Sequence, residues 1–429
     1  MEESTVSSDT FEKVRIGNVS DCDRSNAGGS LYAYWNIICV ICGVGILGLP
    51  QALSKGGWAA LTLLLLSWFF AIYCSIILIR CLYYSRKQET RLPSFTAIAE
   101  DAFGQIGGYI LFFFQAWILL GGPVLIFVLC GTNMNELCRG TSCQVGAVPW
   151  TIIFCAAVAI PLVFLKSMKD TGWTSILGTV AIVAVSLICV IMAGLDNPNE
   201  TIGIVNITHT NVIWEGFPAA LSTMSLSFGG NVVYPNIEAS MKKPHHWPYV
   251  VAGALTTCAL LYIMVAVSGY YVYGDAVLNP VYYSIPNGPP RLVCIAFITV
   301  NITVCAPILL TSFVIEAEAM MGLTVERLGR AREFISRASF RILTAAFCGA
   351  IGCVVPYFDH LMALFGAFGF CTTTFIFPIL CWWKMTGVRS KPYYQLAWDI
   401  LILIFGTVGL VFGSWSAIRD LVYAFKNGA

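Results

Sequence analysis

The sequence predicts an all-α polytopic membrane protein of eleven transmembrane helices, and three observations carry that prediction. Apolar residues fill 58% of the chain and charged residues only 11%, less than half the share of a soluble domain, about 25%. The apolar residues gather into eleven runs, most of them near the 20 or so residues a helix needs to cross a bilayer. If residue 1 is cytosolic, those runs place nineteen of the 24 Lys and Arg on the cytosolic side, leaving Lys55, Arg139, Arg291, Arg419 and Lys426 outside. That asymmetry is the positive-inside bias, and a wrong span count would have scrambled it.

The runs fall at about residues 31–52, 58–82, 107–134, 147–166, 173–194, 212–239, 248–273, 290–319, 338–356, 359–383 and 393–419. Trp58, Trp150, Trp173 and Trp247 flank four of them, as interfacial belts require. Small or polar residues break the runs near 212–239 and 338–356, so hydropathy alone leaves those two in doubt. The first 30 residues are polar and hold no apolar core ahead of a cleavage site. Residues 1–28 are therefore expected to form a disordered cytosolic arm, 29–420 the transmembrane domain, and 421–429 a short tail. A net charge of +1 and the lack of a long basic tract give no footing for nucleic acid. Most of the seventeen cysteines sit in apolar runs and read as small buried hydrophobes.

The first run contains Gly43-Val44-Gly45-Ile46-Leu47-Gly48-Leu49-Pro50. Three glycines and a proline stand where a membrane helix should be continuous. Lipid-exposed backbone must satisfy its own N–H and C=O groups, so an interrupted span is tolerated only where it lines a cavity or is buried in protein. Close packing through small residues is the plain alternative. The sixth run is broken as well, at Ser222-Thr223-Met224-Ser225-Leu226-Ser227-Phe228-Gly229-Gly230-Asn231, with Tyr234-Pro235 following. Runs one and six hold corresponding places if two five-span halves precede one extra helix, and such a pair points to a transporter site on inverted repeats. At each break one half-helix presents free N–H groups and the other free carbonyls, worth about half a charge of either sign. An α-amino acid, with its carboxylate and ammonium a few bonds apart, matches both ends. Gly45 and Gly48 let backbone approach such a ligand.

Ionisable residues inside the membrane cost about 2.5–3.5 kcal/mol each at the bilayer centre. Glu238, just past the second break, and Glu316, near the end of run eight, are the candidates for proton coupling. Glu318, Asp359 and His360 read as interfacial. Asn199-Glu200-Thr201 and Asn206-Ile207-Thr208 are sequons on the extracytosolic side, candidate glycosylation sites at Asn199 and Asn206 or chance matches. Cys138 and Cys143 share another extracytosolic loop, either as a local disulfide or as two free thiols. No metal-ligand cluster, nucleophile with its base, or phosphate-cradling loop stands out, so an enzyme is not expected and no cofactor is called for.

The glycine run with Gly56-Gly57-Trp58, then Phe228-Gly229-Gly230 with Pro235 and Met241, then Phe365-Gly366-Ala367-Phe368-Gly369 with Pro378, resemble the amino acid/auxin permease family. The likeness spans about residues 28–420 and is greatest to the vesicular inhibitory and fungal vacuolar branch. It implies the amino acid–polyamine–organocation superfamily fold, a five-plus-five inverted repeat with discontinuous helices 1 and 6 plus one extra helix. It also implies amino acid transport driven by a proton gradient, as exchange across an acidic organelle membrane. The substrate-binding residues expected on this reading are Val44, Gly45, Ile46, Gly48, Ser225, Ser227, Phe228, Gly229, Gly230 and Asn301, with spans three, eight and ten completing the pocket. The partners are an amino acid and the lipid bilayer, and the chain is expected to work as a monomer. Sodium coupling and a non-transporting amino acid sensor are the rival readings. A sensor predicts saturable binding without net flux.

Overall fold

The computed structural model describes residues 24, 27–84, 91–164, 172–196, 207–322, 329–354, 358–389 and 391–427. The first helix, α1 (Ser30–Ile41), stops where the glycines begin. The Cys42 N–H closes onto the Ile38 carbonyl, and a single 3₁₀ turn follows at Gly45–Gly48. Helix restarts as α2 (Leu49–Gly56), with Pro50 in its first turn, where a missing N–H leaves nothing unsatisfied. The two parts meet at 41°. Next come α3 (Ala60–Tyr83), the short α4 (Phe95–Phe103), α5 (Gln105–Leu137), α6 (Ala147–Phe164) and α7 (Gly172–Leu195). The sixth span breaks as the first does. Its α8 (Phe217–Ser227) ends in a turn at Phe228–Val233, and α9 (Tyr234–Ala239) restarts with Pro235 in its first turn. The chain continues through α10 (Trp247–Tyr273), α11 (Pro289–Met320) and α12 (Arg330–Val354). Then α13 (Phe358–Leu364) passes through π-helical turns at Phe365–Ile376 into α14 (Phe377–Thr386). In the same way α15 (Tyr393–Val408) passes through Gly409–Gly413 into α16 (Ser414–Asn427).

Among the described residues eight helices are long and apolar enough to cross a membrane, nine if α1 and the bent stretch after it count as one span. The two other expected spans fall short for visible reasons. The apolar part of α6 covers only Ala147–Val163, and the sixth span is split into pieces of 11 and 6 residues. Several expected boundaries move. Helix α12 starts at Arg330, ahead of its apolar run, because Glu333, Arg337 and Arg341 pair with one another or with Glu318. Helix α16 runs to Asn427, so most of the expected tail is helical. Of the expected disordered arm, Arg24, Ala27 and Gly28 are described, and they dock. The Gly28 N–H donates to the Ser240 carbonyl at 2.9 Å, and the Lys242 N–H donates to the Gly28 carbonyl at 2.8 Å. The rest of that arm, with Asn199 and Asn206, lies outside the described residues. Cys138 and Cys143 are free thiols.

The broken spans sit between two walls. Helix α10 runs along α1, α2, α3 and α7 on one side. On the other, α5 packs along α11, α6 and the π-helical stretch, and α11 also along α7. Large exposed apolar side chains such as Phe69, Ile110, Phe113 and Ile160 coat the outside, as a lipid-facing surface requires. The most deeply buried ion pairs lie at one end of the bundle, the face where Gly28 docks. There Arg341, 1% exposed, meets Glu318 at 2.7 Å and donates to the Leu162 carbonyl at 2.8 Å. Asp399, fully buried, accepts from Tyr73 and Trp383, each at 2.7 Å, with the Lys391 ammonium 3.6 Å away.

Removing one partner of a buried pair strands the other, at a cost of about 3–5 kcal/mol. Glu318→Ala should therefore lower the thermal unfolding temperature of the purified protein sharply, and an unchanged temperature would contradict the pairing. Lys391 gives a pH signature. Burial pushes its ammonium down from 10.5 to about 8. Between those values the folded chain holds fewer protons than the unfolded one, so stability rises with pH across the window. Lys391→Met should flatten that rise in unfolding curves.

Candidate functional site

The two helix breaks touch. A Cβ on Gly45 would stand 2.7 Å from the Ser227 Cα, so only glycine admits this approach. The Ser227 hydroxyl lies 3.1 Å from the Gly45 carbonyl and 2.9 Å from that of Thr223, its one proton shared between them. From α10 the Tyr262 hydroxyl reaches both breaks at once, 2.6 Å from the Ile41 carbonyl and 2.7 Å from the Ser227 carbonyl. Each is a carbonyl that a helix end leaves without an intrahelical donor. The Tyr262 ring packs edge-on against Phe228.

Beside this junction lies a cavity of about 60 Å³, room for about two waters. Its walls are Val44, Gly45 and Gly229 from the breaks, Ile118 and Gly122 from α5, Cys305 and Leu309 from α11, and Phe370 from the π-helical stretch. A Cβ on Gly229 would overlap the Phe370 ring, so that ring lies flat on the second break. The lining is almost wholly apolar. Asn301 stands at its edge. Its amide donates to the Gly178 carbonyl at 2.8 Å, while its fully buried Oδ1 has no partner among the described residues. That oxygen and the Cys39 and Val40 carbonyls, at the C-terminal end of α1, all lie within 3.8 Å of where a Gly43 Cβ would be.

Of the residues expected at the site, Val44, Gly45 and Gly229 line the cavity and the others do not. Gly48 faces Met362 and Asn279 instead, and Gly230 faces Tyr234. Ile46 and Phe228 pack in the core. The hydroxyls of Ser222, Ser225 and Ser227 bond to carbonyls four residues back in α8, at 2.7 to 2.9 Å. Sequence shows polar side chains, but such back-bonding depends on the rotamer and is invisible there. Gly122 and Phe370 were missed. The Gly121-Gly122-Pro123 step in α5 was the available signal for the first.

The two candidate carboxylates differ in company. Glu238 is fully buried and meets Arg24 at 3.1 Å, Arg91 at 2.7 Å and the Tyr83 hydroxyl at 2.6 Å. Arg24 and Arg91 also donate to the Met241 and Pro235 carbonyls. One carboxylate thus ties the arm, the end of α3 and the segment before α4 to the second half of the broken sixth span. Glu316 has no ion-pair partner among the described residues. Its oxygen meets the Thr96 hydroxyl, which also lies 2.6 Å from Gln115 Oε1. Among the described residues no group of three His, Cys, Asp or Glu side chains is placed to hold a metal.

Paired broken helices around a central cavity define a class, the transporters whose substrate path runs between two discontinuous spans. Solved structures agree on the fold. Over 96% of both chains the protein is similar to MHP1, a nucleobase-cation-symport-1 family transporter, with a TM-score of 0.58 at 14% identity. It is also similar to a Na+-coupled sialic acid symporter, with a TM-score of 0.56 over 94% of this chain and 90% of that one, at 12% identity. Residues 27–419 match the family described as transmembrane amino acid transporter protein, and the chain belongs to that family. Among its relatives from Arabidopsis thaliana, the amino acid transporters AVT1E and AVT1C are each 28% identical. The matches cover 90% and 92% of this chain, and 72% and 70% of theirs. AVT1J is 27% identical over 90% of both. The family and these relatives are membrane transporters, not enzymes.

Tyr262→Phe removes the one donor that both breaks share. It leaves a buried carbonyl unsatisfied, at a cost of about 1–3 kcal/mol. The variant should melt at a lower temperature than the parent, and the same melting curve would sink this reading of the junction.

Proposed function

We propose that this amino acid transporter is a proton-coupled exchanger that moves neutral amino acids across the membrane of an acidic organelle, a vacuole, lysosome or vesicle. The observation that carries it is the direct contact of the two breaks beside an apolar cavity. In this reading residue 1 is cytosolic, eleven spans cross the membrane, the chain works as a monomer, and the face where Gly28 docks is the cytosolic face. Backbone N–H and C=O groups of the two breaks hold the substrate carboxylate and ammonium, while Val44, Gly122, Leu309 and Phe370 surround its side chain. At about 60 Å³ the cavity is too small for most amino acids, and helix movement must widen it. The apolar lining offers no counter-charge for a charged substrate side chain, which favours neutral ones.

Each pH unit is worth about 1.4 kcal/mol per proton, and each 100 mV about 2.3 kcal/mol per net charge moved. One-for-one exchange against protons therefore concentrates substrate about tenfold per pH unit. Of the two candidate carboxylates, Glu316 fits a proton carrier better. The carboxylate of Glu238 is already engaged by two guanidinium groups and a phenol.

Purified protein in liposomes should accumulate labelled neutral amino acids when a pH gradient is imposed, and collapsing the gradient should stop it. Binding without flux would instead favour a sensor. Gly45→Leu should abolish uptake while the protein still reaches the membrane, because its side chain would fill the contact with Ser227. Normal uptake by that variant would remove the site. Sodium coupling has a foothold in the oxygens of Asn301, Cys39 and Val40, which all lie near Gly43. Uptake driven by a sodium gradient at equal pH would select it.

A further inference from the structure

The cluster around Glu316 lies on the faces that wall the cavity. Along α11, Glu316 stands two turns from Leu309, and along α5, Gln115 stands one turn from Ile118 and two from Gly122. Along their helices Glu316 thus lies about 10 Å and Gln115 about 5 Å from the nearest cavity-lining residue, toward the face where Gly28 docks. Between them sits Thr96, in the first turn of α4, which packs on α5 and α14. Ser94 caps this helix by accepting from the Ala97 N–H at 3.2 Å. The Ser94 hydroxyl and the Thr96 N–H face the same carboxylate. A carboxylate at this end of a helix also meets the positive end of its dipole.

Proton counting sharpens the picture. The Thr96 hydroxyl has one proton and two oxygens to serve, Gln115 Oε1 and Glu316 Oε1. If Glu316 is protonated, it donates to Thr96, and Thr96 donates to Gln115 Oε1. If Glu316 is ionised, Thr96 gives its proton to the carboxylate, and Gln115, 1% exposed, must turn its NH2 group toward Thr96. The Thr96 proton needs an acceptor in the protonated state, and among the described residues Gln115 Oε1 supplies it. Among the described residues no charged group pairs with Glu316. Glu100 and Asp101 of α4 lie a turn or more beyond Thr96, and Glu318 of α11 is taken by Arg337 and Arg341 of α12.

We propose that Thr96 and Gln115 are positioning residues for Glu316, and that its proton sets whether α4 is latched onto α11. The inference rests on the reading of Glu316 as the proton carrier. Ionised, Glu316 gathers the Ser94 and Thr96 donors and holds α4 across the exit from the cavity. A proton arriving from water on Glu316 Oε1 cancels the charge, reverses the hydrogen-bond chain and frees α4. The turned Gln115 amide carries the same change into the α5 wall.

The test is hydrogen–deuterium exchange of residues 94–103 in nanodiscs, at neutral and mildly acidic pH, corrected for the intrinsic pH dependence of exchange. In the parent, α4 should exchange about tenfold faster in acid, as loss of a charge-assisted bond predicts. Glu316→Gln should exchange fast at both pH values, Thr96→Val likewise, and Thr96→Ser should restore the response. Gln115→Met should move its midpoint to lower pH, because the protonated state loses its acceptor. A purely structural Gln115 would leave that midpoint in place. Exchange that ignores both pH and Glu316→Gln overturns the latch, even if a pH gradient drives uptake. A responsive α4 with uptake indifferent to the gradient upholds the latch and removes the coupling.

Discussion

Everything at the centre of this protein depends on two membrane helices being broken at the same depth and pressed together at the break. Gly45 meets the Ser227 backbone with no room for a Cβ. The loose carbonyls this creates would be ruinous in lipid, where nothing can pair with them. Tyr262 resolves that by reaching both from one helix. The cavity, its apolar walls and the placement of Phe370 follow from that junction. A continuous first or sixth helix would have closed the space with side chains.

The two faces of the bundle are held by different chemistry. Where Gly28 docks, the anchors are buried carboxylates: Glu238 with Arg24 and Arg91, Glu318 with Arg341, and Asp399 with Lys391. At the opposite face backbone and aromatic contacts stand beside one half-buried pair, Arg291 with Glu136. The Trp58 N–H donates to the Thr210 carbonyl, Trp58 packs on Tyr270, and Gly57, at φ +73, leaves room for that strand of chain. Ion pairs carry charge that a proton or a partner can alter, whereas backbone bonds do not. Within the charged face Glu316 stands apart, served by hydroxyls and an amide instead of a cation.

Much of this was legible in the residues. The helices match the apolar runs to within a few residues wherever side-chain hydropathy alone sets the ends. They depart where ion pairs extend a helix, as at Arg330, or where an amphipathic end keeps winding, as at Asn427. The breaks could be read because glycine and proline act through the backbone. The cavity wall could not. Ser225 and Ser227 look like ligands in the sequence, yet Ser225 bonds back to its own helix and Ser227 divides its proton between its own helix and Gly45. Phe370 looks like core, yet it lies on Gly229.

Sequence by itself determined the membrane class, the placing of most helices, the two breaks and the family. Those rest on local chemistry: apolar length, charge asymmetry, and residues that cannot continue a helix. Only the tertiary structure decided which side of each break faces the cavity, which hydroxyls are already spent, and that Glu238 meets two guanidinium groups while Glu316 meets a hydroxyl. Those depend on rotamers and on neighbours more than two hundred residues apart, as Arg24 is from Glu238. A linear pattern does not hold that information.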